Sequence, residues 1–270
     1  MTQKRILAFA GWLLCTCLLV VGCSQNTPNS ATNTNPTTET TSLTISAAAS
    51  LKDSLAAIKQ IYNQEKPNVN LVYNFGSSGA LQQQIEQGAK VDMFISAATK
   101  QMDALEKKGL LVDRTRKNLL TNQMVLIAPQ NSQAVSDIQD LTSPSVKKIA
   151  LGEPKSVPAG QYAQQVLTSL KIADKIKSKV VYAKDVRQAL NFVESGNADA
   201  GLVYLSDAKS TSQVKIVTTV PNNTHSPIVY PMAVLKTSKN VDAAKDFQQF
   251  LSSDEAKSVF KKQGFTVAGN

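Results

Sequence analysis

The chain is poor in cysteine, and the three it has, Cys15, Cys17 and Cys23, all lie close to the amino terminus. The body beyond them can form no disulfide and hold no thiolate-bound metal, so its own core must keep it folded. Histidine is scarcer still: His225 is the only one. The formal charge is +9, or +7 without Lys4 and Arg5, but the basic residues are scattered, as at Lys175, Lys177 and Lys179. No basic stripe with interleaved aromatics appears, which excludes nucleic acid as a partner and leaves a solvated basic surface. No internal repeat is visible. Residues 24–42 contain one apolar residue, Ala31, and one charge, Glu39. Such a stretch cannot bury enough surface to offset the entropy of ordering, and it is expected to be a loose linker.

The first residues are organised differently. Lys4 and Arg5 precede a run at 6–22 without any charge, which ends Val20-Val21-Gly22-Cys23. A basic start, an apolar stretch and small residues before a cleavage point make a secretory signal. The run is slightly short of the ~20 residues that span a bilayer. Its end resembles the lipobox of bacterial lipoproteins, which implies a signal peptide at 1–22, acylation of Cys23 and a disordered linker at 23–42. The remaining body would then work outside the cytoplasm, tethered to a membrane.

From residue 43 the pattern becomes that of a folded domain. Strands are expected at 43–48, 69–75, 91–95, 124–128, 148–151, 179–182, 201–204, 214–220 and 229–235. Helices are expected to open at Ser50, to follow Gly76-Ser77-Ser78-Gly79, and to cover about 100–108, 161–170, 186–195, 241–251 and 254–262. Alternation of this kind means an α/β architecture with mainly parallel sheets flanked by helices.

Four strand-to-helix junctions stand out: 46–51, 75–79 and 157–160, which are rich in small residues, and Asp185-Val186-Arg187, which opens another helix. Small residues let backbone N–H groups approach a ligand, and a helix N-terminus offers unpaired donors and a favourable dipole. Ordinary helix capping explains each junction as well. Ser50 with Asp53 and Asp185 with Gln188 fit capping boxes, Ser78 fits a cap, and Pro158 fits a helix start. Periodicity does not show whether the four ends meet.

Larger motifs bear on that question. They are AAASL at 47–51, GSSGALQQQIEQGAKVDMFISA at 76–97, GEPKSVPAGQYA at 152–163 and AKDVRQALNFVESGNADAGLVYLSDA at 183–208. YPMAV at 230–234 and KKQGF at 261–265 continue the series. In this order, over nearly all of 43–268, the chain resembles the molybdate-binding proteins of bacterial ABC importers. The resemblance implies a two-lobed periplasmic-binding-protein fold of type II with a ligand cleft between the lobes. One lobe would hold 43–122 plus 230–270 and the other 123–229, with crossings near Asn122 and Tyr230. It also implies that the oxyanion is held by Ser50 and Ser78 through hydroxyl and backbone N–H, by Ala159 and Val186 through backbone N–H, and by the Tyr204 hydroxyl. Gly79 departs from the pattern, since some relatives carry a third serine there.

The resemblance further implies a monomer that is not an enzyme and uses no cofactor or protein-coordinated cation. Its ligand would be molybdate or tungstate, and its partners a membrane permease and a cytoplasmic ATPase. Neutral N–H and O–H donors suit a buried, fully deprotonated dianion. Cavity size would have to reject the smaller sulfate. Other readings compete: a binding protein for another oxyanion such as sulfate, an Fe(III)-complex binder, or a lipoprotein without ligand. A serine hydrolase is the rival of another class, because Gly76-Ser77-Ser78-Gly79-Ala80 nearly forms a nucleophile elbow, with Asp199 or Asp207 and then His225 following in order. Against it, Ala80 replaces the last glycine of that motif, and no HGGG-like segment is present.

Overall fold

The computed structural model describes residues 40–269. The expected signal peptide, Cys23 and the linker as far as residue 39 lie outside the described residues. The strand β1 (Thr41–Ala48) begins inside the expected linker, because Thr41 N–H donates to Asn68 O (2.9 Å) and so joins the sheet. A 3-10 turn, Ala49–Leu51, leads into α1 (Lys52–Glu65), followed by β2 (Val69–Gly76), α2 (Ser78–Glu86), β3 (Met93–Ile95), α3 (Thr99–Lys107) and β4 (Lys117–Thr121). Next come β5 (Met124–Pro129), β6 (Ile149–Gly152), α4 (Pro158–Ser169), α5 (Ala173–Ile176), β7 (Val180–Ala183), α6 (Val186–Glu194) and β8 (Ala200–Tyr204). The chain closes with α7 (Leu205–Ala208), β9 (Val214–Thr219), β10 (Val229–Val234), α8 (Val241–Phe250), α9 (Asp254–Lys262) and β11 (Thr266–Val267).

Two sheets result, one in the order β11-β4-β10-β3-β1-β2 and the other β7-β6-β8-β5-β9. Both are mixed rather than mainly parallel. Parallel pairing joins β1 to β2 and β3, and β6 to β7 and β8. The strands nearest the two passages between sheets, β4, β5, β9 and β10, pair antiparallel, because a chain that leaves a sheet and returns runs back along its neighbour. The passages are Asn122–Gln123 and 220–228, and Asn122 N–H donates to Ile228 O (3.2 Å), which ties them together. The periodic readings missed β4 and β11. Both are short: β4 has only Leu119 and Leu120 as apolar residues, and β11 is two residues long.

Alternation places Leu43, Ile45 and Ala47 of β1 in the core, with Leu55, Ile58 and Tyr62 of α1 packed within the same core. Tyr62 lies edge-on to Phe247 (ring centroids 4.9 Å apart), which holds α8 against α1. In both sheets the carboxyl ends of the parallel strands carry the turns that matter: Ala48, Gly76, Gly152, Ala183 and Tyr204 are the last residues of β1, β2, β6, β7 and β8. In open α/β sheets, ligands bind outside those ends.

Candidate functional site

The turns that leave these strand ends meet around one small, tight cavity. Ser50 and Ser78 line it from the first sheet's elements; Ala159, Val186 and Tyr204 line it from the second's. All five residues singled out above are therefore brought together, with Ala49, Gly76, Ser77, Ala97, Val157 and Asp185 among their neighbours. The one ionisable carboxylate in the lining, Asp185, is turned to its own helix and accepts from Gln188 N–H (2.9 Å). No lysine, arginine or histidine side chain lines the cavity.

What remains for a ligand is set by the helix caps. Ser77 caps α2 by accepting from Ala80 N–H, and Asp185 caps α6 by accepting from Gln188 N–H. Both spend themselves on the third donor of the helix. The first helical residues, Ser78 and Val186, keep N–H groups with no partner inside the helix, and so does Ala159 behind Pro158 in α4. Three helix N-termini with their positive dipole ends thus face one space.

The hydroxyls are not equivalent. Ser78 is not the cap expected of it; its Oγ accepts from Ala97 N–H (2.9 Å), which leaves its own hydrogen unspent. Ser50 is not in a capping box either. Its Oγ meets Tyr230 Oη (2.9 Å), and Asp53 pairs instead with Arg187 of α6, because the 3-10 turn moves the start of α1 to Lys52. The Tyr204 hydroxyl is buried without a partner. A buried hydroxyl without a partner costs free energy, and a bound acceptor would remove that cost.

Gly79 donates its N–H to Ser156 O (2.9 Å), across from the first sheet's elements to the second's. A Cβ built on Gly79 would stand 2.5 Å from that same oxygen. The departure from a third serine therefore leaves room for a close backbone seam beside the cavity.

Arg187 makes a second seam. It pairs with Asp53, donates through Nη1 to Ser210 Oγ (2.7 Å), and places Nε 2.9 Å from Asp207 Oδ1 without the alignment of a hydrogen bond. Asp207 is wholly buried, and burial pushes its carboxyl up to about 7 against the pull of Arg187. Tyr204 and Tyr230, which face it, stay protonated far above the usual range because they too are buried. The folded state therefore binds the Asp207 proton more tightly than the unfolded chain, whose carboxyl titrates near ~3.9. The resulting stabilisation is present at low pH and is lost as pH rises from about 4 through about 7. Thermal melts should show this decline in the protein, and Asp207→Asn should flatten it; an equal slope in the variant would assign it elsewhere.

The hydrolase constellation is not assembled. His225 lies outside the cavity lining, with Nδ1 donating to Ser226 O (2.8 Å) and its ring edge-on to Tyr162. Asp199 accepts from the N–H groups of Lys147 and Lys148, and Asp207 faces Arg187. Nor does the lining hold the set of tyrosines, histidine and carboxylates that an iron site wants, since Tyr204 stands there without another tyrosine or a histidine and the one carboxylate, Asp185, caps α6.

The chain is similar to known proteins over most of its length. The family model of the bacterial extracellular solute-binding proteins matches residues 43–266. A Bacillus subtilis protein provisionally named the ABC transporter substrate-binding lipoprotein YvgL is 45% identical, over 93% of this chain and 94% of its own. The molybdate-binding protein ModA of Haemophilus influenzae is 40% identical, over 83% of this chain and 90% of its own. Among solved structures, the periplasmic molybdate-binding protein of Azotobacter vinelandii superposes with a TM-score of 0.77 at 25% identity, covering 84% of this chain and all of that one.

Proposed function

This chain belongs to the bacterial extracellular solute-binding proteins, and from that premise we propose that it captures molybdate, and tungstate with it, outside the cytoplasm and delivers the anion to the permease of an ABC importer. The observation that carries the reading is the cavity itself: neutral donors only, drawn from both sheets, with the Tyr204 hydroxyl buried and unpaired. Ser50, Ser78, Ala159, Val186 and Tyr204 are the proposed ligand contacts. Hydrogen bonds to a charged acceptor are the strong kind, so a site without a single cation suffices for a dianion. Relatives of this family bind solutes rather than transform them, and the unassembled hydrolase residues agree with that.

The two sheets would belong to two lobes, 43–122 plus 230–270 and 123–229, joined at the crossings near Asn122 and Tyr230. An anion that touches donors of both favours the closed arrangement, since only there do all of them reach it. The signal at 1–22 would direct export, and the lipid on Cys23 would tether a monomer to the membrane through the linker. A cytoplasmic ATPase would drive the permease.

Calorimetric titration with molybdate, tungstate, sulfate and phosphate, paired with solution scattering, tests this reading. Molybdate and tungstate should bind tightly, and molybdate should reduce the radius of gyration. Sulfate, being smaller, should leave donors unsatisfied and do much less. Binding of sulfate as tight as that of molybdate would make this a general oxyanion binder. Tight molybdate binding without compaction would remove the closing step.

A further inference from the structure

The Ser50 hydroxyl is held from behind by two residues that do not line the cavity, Tyr230 and Asn122. Tyr230 is wholly buried in β10, at the register shift where Pro231 interrupts the pairing with β4. Asn122 stands in the passage between the sheets. Its Oδ1 accepts from Gln123 N–H (2.8 Å). A backbone nitrogen only donates, so this bond fixes which way the amide points. Nδ2 therefore faces the other way and gives its two hydrogens to Ser206 Oγ (2.9 Å) and Tyr230 Oη (3.3 Å).

The direction of each later hydrogen follows. An amide nitrogen cannot accept, so Tyr230 Oη accepts from it, and Ser50 Oγ, 2.9 Å away, is the acceptor at hand for the buried phenol hydrogen, which sets the bond from Tyr230 to Ser50. Ser50 has then accepted once, and its own hydrogen is the part left for the cavity. Ser78 is held in the same sense by Ala97 N–H. Only the Tyr204 hydroxyl is left free to face either way.

We propose that Asn122 and Tyr230 are positioning residues that lock Ser50 as a hydrogen donor, and that this lock makes the cavity discriminate against oxyanions that carry a proton. The inference rests on the oxyanion reading above and deepens it. A fully deprotonated anion can use every donor. Hydrogen phosphate keeps a proton at neutral pH and needs an acceptor for it, and a serine already held from behind could turn its remaining lone pair to that proton only by pointing its own hydrogen away from the anion. Size discrimination against sulfate is a separate matter, because sulfate carries no proton.

Two variants with molybdate and inorganic phosphate as probes decide this. Tyr230→Phe removes the link, so molybdate affinity should fall by about ten-fold, and by less than about two-fold when Ser50→Ala is already present. A role in packing alone would cost the same in both backgrounds. Asn122→Asp replaces the donor by an acceptor: the phenol hydrogen turns to the carboxylate, the Ser50 hydrogen turns to the phenol, and lone pairs face the cavity. The added charge weakens both probes, but only the reversed hydrogen changes their ratio. That ratio, molybdate over phosphate, should fall by about ten-fold or more. Additive losses in the Tyr230/Ser50 cycle, or an unchanged ratio in Asn122→Asp, overturn the proposal. If Asn122→Asp does not fold, the cycle alone decides. Wild-type protein that binds molybdate while the variants behave like it overturns the lock only; wild-type protein that binds no oxyanion overturns the lock and the functional reading together.

Discussion

Ser78→Ala is expected to lower molybdate affinity by about ten- to a hundred-fold. A hydrogen bond to a charged acceptor contributes roughly 1.5–3 kcal/mol, and each ~1.4 kcal/mol is a factor of ten. The backbone N–H of Ser78 remains, so binding should weaken rather than vanish. Tyr204→Phe should lower affinity similarly, but the two differ in the free protein. Ser78 Oγ satisfies the buried Ala97 N–H, so its loss should also lower the melting temperature without ligand. The Tyr204 hydroxyl has no partner, so its removal should leave that temperature unchanged or raise it. Opposite signs in stability with like signs in affinity mark ligand contacts. Affinity unchanged in both variants would place the site elsewhere. Lys175→Ala is the control, since an exposed charge is largely screened.

Gly160→Ala should damage both stability and binding. Gly160 stands in the first turn of α4, and a Cβ there would come 2.0 Å from Gly152 O, at the end of β6. That neighbour is backbone, so no rotamer relieves the clash, and α4 must move away from the strand. Overpacking of this kind typically costs about 1–3 kcal/mol, with a fall of ~2–4 °C in melting temperature for each kcal/mol. The displaced turn carries Ala159, so affinity should drop at least about ten-fold with it. Gly196→Ala gives the contrast. Its φ of 69° strains an alanine, but nothing stands within 4 Å of the added carbon. It should cost roughly 1 kcal/mol and leave binding alone. Equal binding in both variants would mean that α4 does not position a ligand donor.

The elements were legible in the sequence where the signal is local. Periods of two and 3.6 residues located most strands and the longer helices, because each face of these elements is either buried or solvated. Pro158 at the start of α4 and Asp185 as the cap of α6 were legible for the same reason. The ordered motifs pointed to five cavity residues through family resemblance, not through any pattern in spacing.

Other features had no local signal. Ser50 and Asp53 have the spacing of a capping box, yet they bond to Tyr230 and Arg187, 180 and 134 residues away. Asn122 and Tyr230 read only as crossing points, and nothing in their neighbourhoods says that one would orient the other. The amino-acid order by itself determined which segments become strand or helix and which turns are small enough for close approach, since those depend on neighbours a few residues apart. Tertiary packing alone decided where the turns converge and which way each hydroxyl hydrogen points, since both depend on which distant donor arrives at which oxygen.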